Sequence, residues 1–270
     1  MRFLLSLLIV LAVYGQPAGG DFRFAIVGDR TGTHQKGIFE AVWQQVAAWK
    51  PAFVVTIGDW IEGNNDATAE AEWRELEPVY RSTGLKTYFV AGNHDIWNRK
   101  SRLLYEQFTG RPAQYSFDSG RAHFTILDNS ASLQLADSEL DYLERDLQAH
   151  AGQQPKFVLF HQPGWLIQTM LGQTEFRLHQ IAKKYGVTAV ISGHTHMYKR
   201  IELEGITYLT VCSAGGAIRG RDPKAKGFEE GFFYGYTQVT VQRGVAEIRT
   251  QELGEPFGKA RVLGVAYAEK

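Results

Sequence analysis

Thr87-Tyr88-Phe89-Val90-Ala91-Gly92-Asn93-His94-Asp95 is the stretch on which the fold turns. A short run with strand propensity passes into a glycine, and the glycine opens onto a carboxamide, an imidazole and a carboxylate. The same grammar recurs outward in both directions. A predicted strand over 22–27 ends at Gly28-Asp29, one over 53–57 at Gly58-Asp59, one over 156–160 runs into His161, and one over 188–191 leads to Gly193-His194-Thr195-His196. Between them, apolar residues at helical spacing predict helices over 38–49, stopped by Pro51, and over 67–80. The rhythm is β-α-β-α-β, which implies a parallel sheet with covering helices.

Further along, strands over 114–117 and 123–127 predict a hairpin turning through Asp118-Ser119-Gly120, followed by helices over 137–148 and 175–185. The last third reads as strands over 198–203, 206–211, 236–241 and 245–250. Parallel units first and antiparallel strands later predict two sheets in one domain. The glycine-rich, basic stretch 215–231, with Arg219 and Arg221, reads as one long loop.

The 270 residues are 44% hydrophobic and 21% charged, enough apolar surface for a packed core. Twenty-nine basic residues balance 29 acidic ones, so the global field that polymeric nucleic acid or an anionic membrane would need is missing. The single cysteine, Cys212, excludes a disulfide framework within the chain and reads as a buried small side chain. Arg2, the apolar run 3–14 and the small residues through Gly19 predict a secretory signal peptide over 1–18. The run is shorter than the ~20 residues a bilayer span needs, so the expectation is a secreted or periplasmic protein with no stable membrane insertion after cleavage. The predicted domain covers 21–252, with a C-terminal extension over 253–270.

In a mostly parallel sheet, ligands gather where the strand ends share one edge. Asp29, Asp59, Asn93-His94-Asp95, His161 and His194-Thr195-His196 would then meet in one crevice. Carboxylate, carboxamide and imidazole form a donor set for two borderline or hard divalent ions, with one carboxylate bridging. Each cluster alone is ordinary turn chemistry; their order and repeated strand-end placement make coincidence improbable.

These motifs resemble the calcineurin-like metallophosphoesterases, relatives of the purple acid phosphatases. The resemblance implies an α/β fold, a four-layer α-β-β-α sandwich of two mixed sheets flanked by helices. It also implies a centre of two divalent or mixed-valence ions (manganese, iron or zinc), with Asp29, Asp59 and His196 at one ion and Asp59, Asn93, His161 and His194 at the other. Activated water would cleave a small phosphorylated substrate, a monoester or a diester. His94 takes the family's general-acid position, with Asp95 expected to orient its ring. The chain departs from the family at Asp29-Arg30-Thr31, where Thr31 stands in place of a metal-binding imidazole. Glu62 is then a candidate supporting ligand, and Arg30 a candidate fork onto the substrate phosphate. The alternative is a protein of this fold that binds a phosphorylated ligand without turnover. His34, Trp60, Asn64, Trp97, Arg99, Trp165 and Tyr198 are weaker candidates to shape the pocket, whereas His123, His150 and His179 read as structural.

Overall fold

The computed structural model describes residues 20–218 and 227–265. Three strands, β1 (Phe22–Val27), β2 (Phe53–Thr56) and β3 (Thr87–Tyr88), run parallel and begin one sheet. The chain then builds a second, mixed sheet from β4 (Tyr115–Ser119), β5 (Ala122–Ile126), β6 (Lys156–Leu159), β7 (Ala189–Ser192), β8 (Lys199–Leu203) and β9 (Ile206–Thr210), in the order β4-β5-β6-β7-β9-β8. It returns to complete the first with β10 (Gly235–Gln242), β11 (Val245–Glu252) and β12 (Val262–Val265), giving β12-β11-β10-β1-β2-β3.

Strands β1 and β2 are buried on both faces, which is why they read as continuous apolar runs. Phe24, Ile26, Phe53 and Val55 point between the sheets, against Phe124, Phe157, Leu159 and Ile191. Phe24 stacks on Phe53 with ring centroids 5.1 Å apart and meets Phe124 edge-on at 5.1 Å. Ala25, Val27 and Val54 face outward beneath α1 (Ile38–Trp49), α2 (Ala69–Arg81) and α3 (Arg99–Thr109). On the other side, α4 (Asp137–Ala149) and α6 (Arg177–Lys184) bury Leu143, Leu147, Ile181 and Ala182 on the second sheet, beside the short α5 (Leu166–Met170). The result is the expected α-β-β-α sandwich.

Some elements differ from the sequence reading. β3 pairs over two residues only, because beyond Tyr88 the Phe89 backbone is taken by tyrosine hydroxyls: its N–H donates to Tyr115 Oη at 2.9 Å and its carbonyl accepts from Tyr105 Oη at 3.0 Å. α3 was not expected, yet Asn98 and Ser101 form a reciprocal capping box at its start. β12 falls within 253–270, where no element was predicted, and pairs antiparallel with β11. Within 215–231 the described part includes a single turn of 3-10 helix at Gly227–Glu230. Arg219, Arg221 and the predicted signal peptide over 1–18 lie outside the described residues. Among the described residues, no helix is long and apolar enough to cross a membrane.

Candidate metal centre

The expected cluster assembles at the carboxyl ends of the strands. Asp29 follows β1, Asp59 follows β2 and Asn93 lies beyond β3, all from the first sheet; His161 follows β6 and His194 and His196 follow β7, from the second. Ligand atoms of Asp59, His161 and His194 lie within 4.8 Å of one another, and so do those of Asp29, Asp59 and His196. Asp59 belongs to both groups.

The loops approach so closely that two positions admit only glycine. Gly58 has φ +94°, and a Cβ on it would lie 2.8 Å from Gly92 N, while a Cβ on Gly92 would lie 2.2 Å from Asp59 Oδ1. Asp59, His194 and His196 themselves hold left-handed backbones, with φ of 58°, 67° and 52°. Such conformations persist where the surroundings over-determine them, and they gather at functional sites.

Each aspartate spends one oxygen on the backbone. Asp29 Oδ1 accepts the His194 N–H at 2.8 Å, and Asp59 Oδ1 accepts the His94 N–H at 2.9 Å. The second oxygens remain for the centre: Asp29 Oδ2 is buried with no hydrogen-bond partner, and Asp59 Oδ2 is 3.1 Å from His161 Nε2. Asn93 Oδ1 is likewise buried and unpartnered. The imidazoles are oriented in the same way. His161 Nδ1–H donates to the Ile57 carbonyl at 2.7 Å and His196 Nδ1–H to the Ala217 carbonyl at 2.8 Å, which leaves each Nε2 available as a donor atom.

Burial dominates the Asp29 carboxyl and raises its pKa, although His196 and His161 pull the other way. Burial also opposes ionisation of Asp59, but the His161 and His94 contacts outweigh it and hold the carboxyl well below its ordinary value. His161 is pushed up to about 9: burial disfavours the charged ring, and Asp59 and Asp29 more than compensate. His194 falls to about 4 through burial and the nearby His161, so its neutral ring faces His161 Nε2 across 3.3 Å. A field that favours a proton between buried carboxylates and a facing nitrogen pair also favours a cation there, which displaces that proton on binding. Orphaned oxygens, free imidazole nitrogens and a shared carboxylate together fit divalent ions.

Three expected roles give way to others. Glu62 is not aimed at the centre: its Oε2 accepts the Gly32 and Thr33 N–H groups at 3.0 and 3.3 Å, and its Oε1 accepts the backbone and ring Nδ1–H of His34, both at 3.1 Å. Its carboxylate clamps the loop after β1. Arg30 is buried, and its Nη2 donates to Glu75 Oε1 at 2.9 Å and to His34 Nε2 at 3.0 Å, so that edge of the guanidinium is spent on holding the loop rather than on a substrate. Asp95 does not touch the His94 ring. Its buried carboxylate accepts the N–H groups of Asp59, Trp60 and Gly92 at 2.8, 2.9 and 2.9 Å, and burial, reinforced by Asp59, lifts its pKa to about 6. The His94 ring is instead oriented by Nδ1–H donation to the Glu62 carbonyl, which leaves Nε2 free.

Thr31 is buried, with its Oγ1 donating to Asp59 Oδ2 at 3.4 Å, so a hydroxyl faces the carboxylate that both groups share, from the position where the sequence departs from the family. Of the weaker candidates, Trp60 packs in the helix-side core and Trp165 donates to Ser192 Oγ at 3.1 Å beneath the second sheet. Tyr198 packs beside the core between the sheets, whereas Asn64, Trp97 and Arg99 line a cleft shared with Asn93. His123 lies between Asp118 and Asp146, and His179 between Tyr208 and Glu204, away from the centre. The roles of Glu75, Ile57 and Ala217 had no signal in the sequence, since two act through main-chain carbonyls and the third is one acid among many.

A strand-edge cluster of metal-capable side chains in an α-β-β-α sandwich is the arrangement of the metallophosphoesterase fold. Residues 22–198 match the family model described as calcineurin-like phosphoesterase, and the chain belongs to that family. It is 27% identical over 192 residues to a probable cyclic nucleotide phosphodiesterase of Rhodococcus erythropolis, covering 64% of each chain and thus less than two thirds of that relative's length. It is 26% identical over 261 residues to the mouse tartrate-resistant acid phosphatase type 5, covering 80% of this chain and 78% of that one. Among solved structures it is similar to GAP50 of Plasmodium, with a TM-score of 0.65 and 20% identity over 93% of this chain and 90% of that one, a likeness of fold.

Proposed function

We propose that this chain is an exported, metal-dependent hydrolase of a small phosphoric ester, acting through a two-metal centre. The observation that carries this reading is Asp59, one carboxylate shared by two groups of metal-capable side chains. Asp29, Asp59 and His196 would hold one ion, and Asp59, Asn93, His161 and His194 the other. Such ions supply charge for the phosphoryl oxygens and lower the pKa of an attacking water.

What the chain's own residues do follows from their contacts. The His194 and His94 backbone N–H groups fix the two aspartates, so that no carboxylate reorganises as charge develops on the phosphoryl group. The Glu62 carbonyl holds the proton of His94 on Nδ1 and so fixes the ring. A second proton, on Nε2, is then the one given to the leaving-group oxygen. Family membership and the relatives' names, an acid phosphatase and a phosphodiesterase, support ester hydrolysis; the donor set is compatible with manganese, zinc or iron.

The test is elemental analysis of the wild type and Asp59→Asn, alongside hydrolysis of an aryl phosphomonoester and the matching diester with each metal. The expected result is about two metals per chain with turnover in the wild type, and loss of both in the variant. Two metals without turnover of either ester would sink the hydrolase and favour a phosphoryl-binding protein; one metal or none would sink the two-metal centre.

A further inference from the structure

Beside the centre opens a cleft of about 570 Å³, lined by Asn93, Asn64, Ile96, Trp97, Arg99 and Ser130 among others. Asn64 Nδ2 lies 3.5 Å from His94 Nδ1, so the cleft adjoins the proton donor as well as the centre. A general acid delivers its proton to the oxygen that departs, so the alcohol half of the ester must lie within reach of His94.

The lining has two distinctive chemistries. Trp97 is half-buried and held at both ends, its backbone N–H donating to Ser101 Oγ at 2.9 Å and its indole Nε1–H to Asp66 Oδ1 at 3.2 Å. A fixed aromatic face next to open volume is a stacking surface for a planar ring. The first turn of α3 carries Arg99, Lys100 and Arg102 and no acid, so its cations add to the positive end of the helix. Lys100 is used by the Asp66 carbonyl at 2.7 Å and Arg102 by Asp128 at 2.6 Å; among the described residues Arg99 has no such partner. Asp66 Oδ1 accepts from both Trp97 Nε1–H and Asn98 Nδ2–H, which ties that carboxylate to the indole edge rather than to Arg99.

We propose that this cleft binds the alcohol half of the ester and selects a leaving group with a planar ring that carries a negative charge, the ring on Trp97 and the charge facing Arg99. This rests on the hydrolase reading. The probes are ethyl, benzyl and 4-carboxybenzyl phosphate, whose leaving alcohols are of similar acidity, and the three corresponding phosphonates, whose binding to the metal-loaded protein is measured by calorimetry. In the wild type both kcat/KM and affinity should rise from ethyl to benzyl to 4-carboxybenzyl. Trp97→Ala should cut the benzyl-to-ethyl ratio about tenfold, with Trp97→Phe restoring most of it. Arg99→Gln should cut the 4-carboxybenzyl-to-benzyl ratio about three- to tenfold, an advantage that added salt erodes in the wild type. Ratios that stay at wild-type values in both variants, with the fold intact by circular dichroism, overturn the proposal. Absence of turnover with all three esters would instead strike the hydrolase reading, while the phosphonate affinities would still decide whether the cleft prefers a charged ring.

Discussion

At Asp59 the backbone takes φ 58°, and each of its polar groups explains why: the N–H donates to Asp95, the carbonyl accepts from the Arg30 N–H, and Oδ1 accepts from the His94 N–H. Asp95 and His94, adjacent in sequence, therefore do separable work. Removing the Asp95 carboxylate leaves three buried N–H groups without an acceptor, each costing about 1–3 kcal/mol. Asp95→Ala should lose about 3 kcal/mol or more of stability in urea unfolding, together with bound metal. His94→Ala removes a partly exposed ring while its backbone N–H still holds Asp59. It should unfold within about 1 kcal/mol of the wild type and keep its metal, yet turn over about 10²- to 10⁴-fold more slowly. A His94 variant that loses metal in step with turnover would make the ring a structural member instead.

At the scale of elements, the loop between β1 and α1 is shaped by an acid that comes from beyond β2. Glu62 gathers four donors from Gly32, Thr33 and His34, and these contacts outweigh the desolvation that would otherwise raise its pKa. Glu62→Gln gives up one acceptor oxygen in a half-exposed setting and should cost about 1–2 kcal/mol. Amides 32–34 should exchange faster with deuterium, while metal content stays at the wild-type value; a fall in metal content would return Glu62 to the ligand set. This loop also marks where the sequence stops being informative. Strand runs ending in Gly-Asp, Gly-Asn-His-Asp and Gly-His-Thr-His are legible because their chemistry is local, a period of burial followed by a turn. The partners of Arg30, Glu62 and Asp95 are not legible, since they are backbone N–H groups or distant side chains that any sequence offers in abundance. Helix α3 was obscured by its polar first turn, although Asn98 and Ser101 at cap spacing carried the signal. β12 is four residues at a sheet edge, too short to show a period.

The centre exists only when the whole sandwich is closed, because the first sheet supplies Asp29, Asp59 and Asn93 and the second supplies His161, His194 and His196. Global stability therefore bears on function, and one buried histidine far from the centre, its pKa raised by two carboxylates, makes that stability depend on pH. His123 on β5 places Nδ1 2.7 Å from Asp118 of β4 and Nε2 2.8 Å from Asp146 of α4, with the His150 ring stacked on it at 3.8 Å between centroids. Burial alone would lower its pKa; the hydrogen bonds to Asp146 and Asp118 outweigh burial and raise it above 6.5. A raised folded pKa means that the native state holds this proton more tightly than the unfolded chain. Its contribution is full below 6.5 and is lost as pH rises through the folded value. The two carboxyls run the other way. Burial opposes their ionisation, the contacts with His123 prevail, and both pKa values fall below 3.8, so their contribution is present above 3.8 and lost as pH drops through the folded values. The network is at full strength between those limits. His123→Gln removes the charge and keeps a polar side chain, and at fixed metal concentration the difference between wild type and variant cancels the pH response of the centre. Urea unfolding should show the wild-type advantage largest near pH 5.5 and shrinking steadily toward pH 9; an advantage constant across that range would mean His123 does not carry the proton that its two carboxylates are placed to hold.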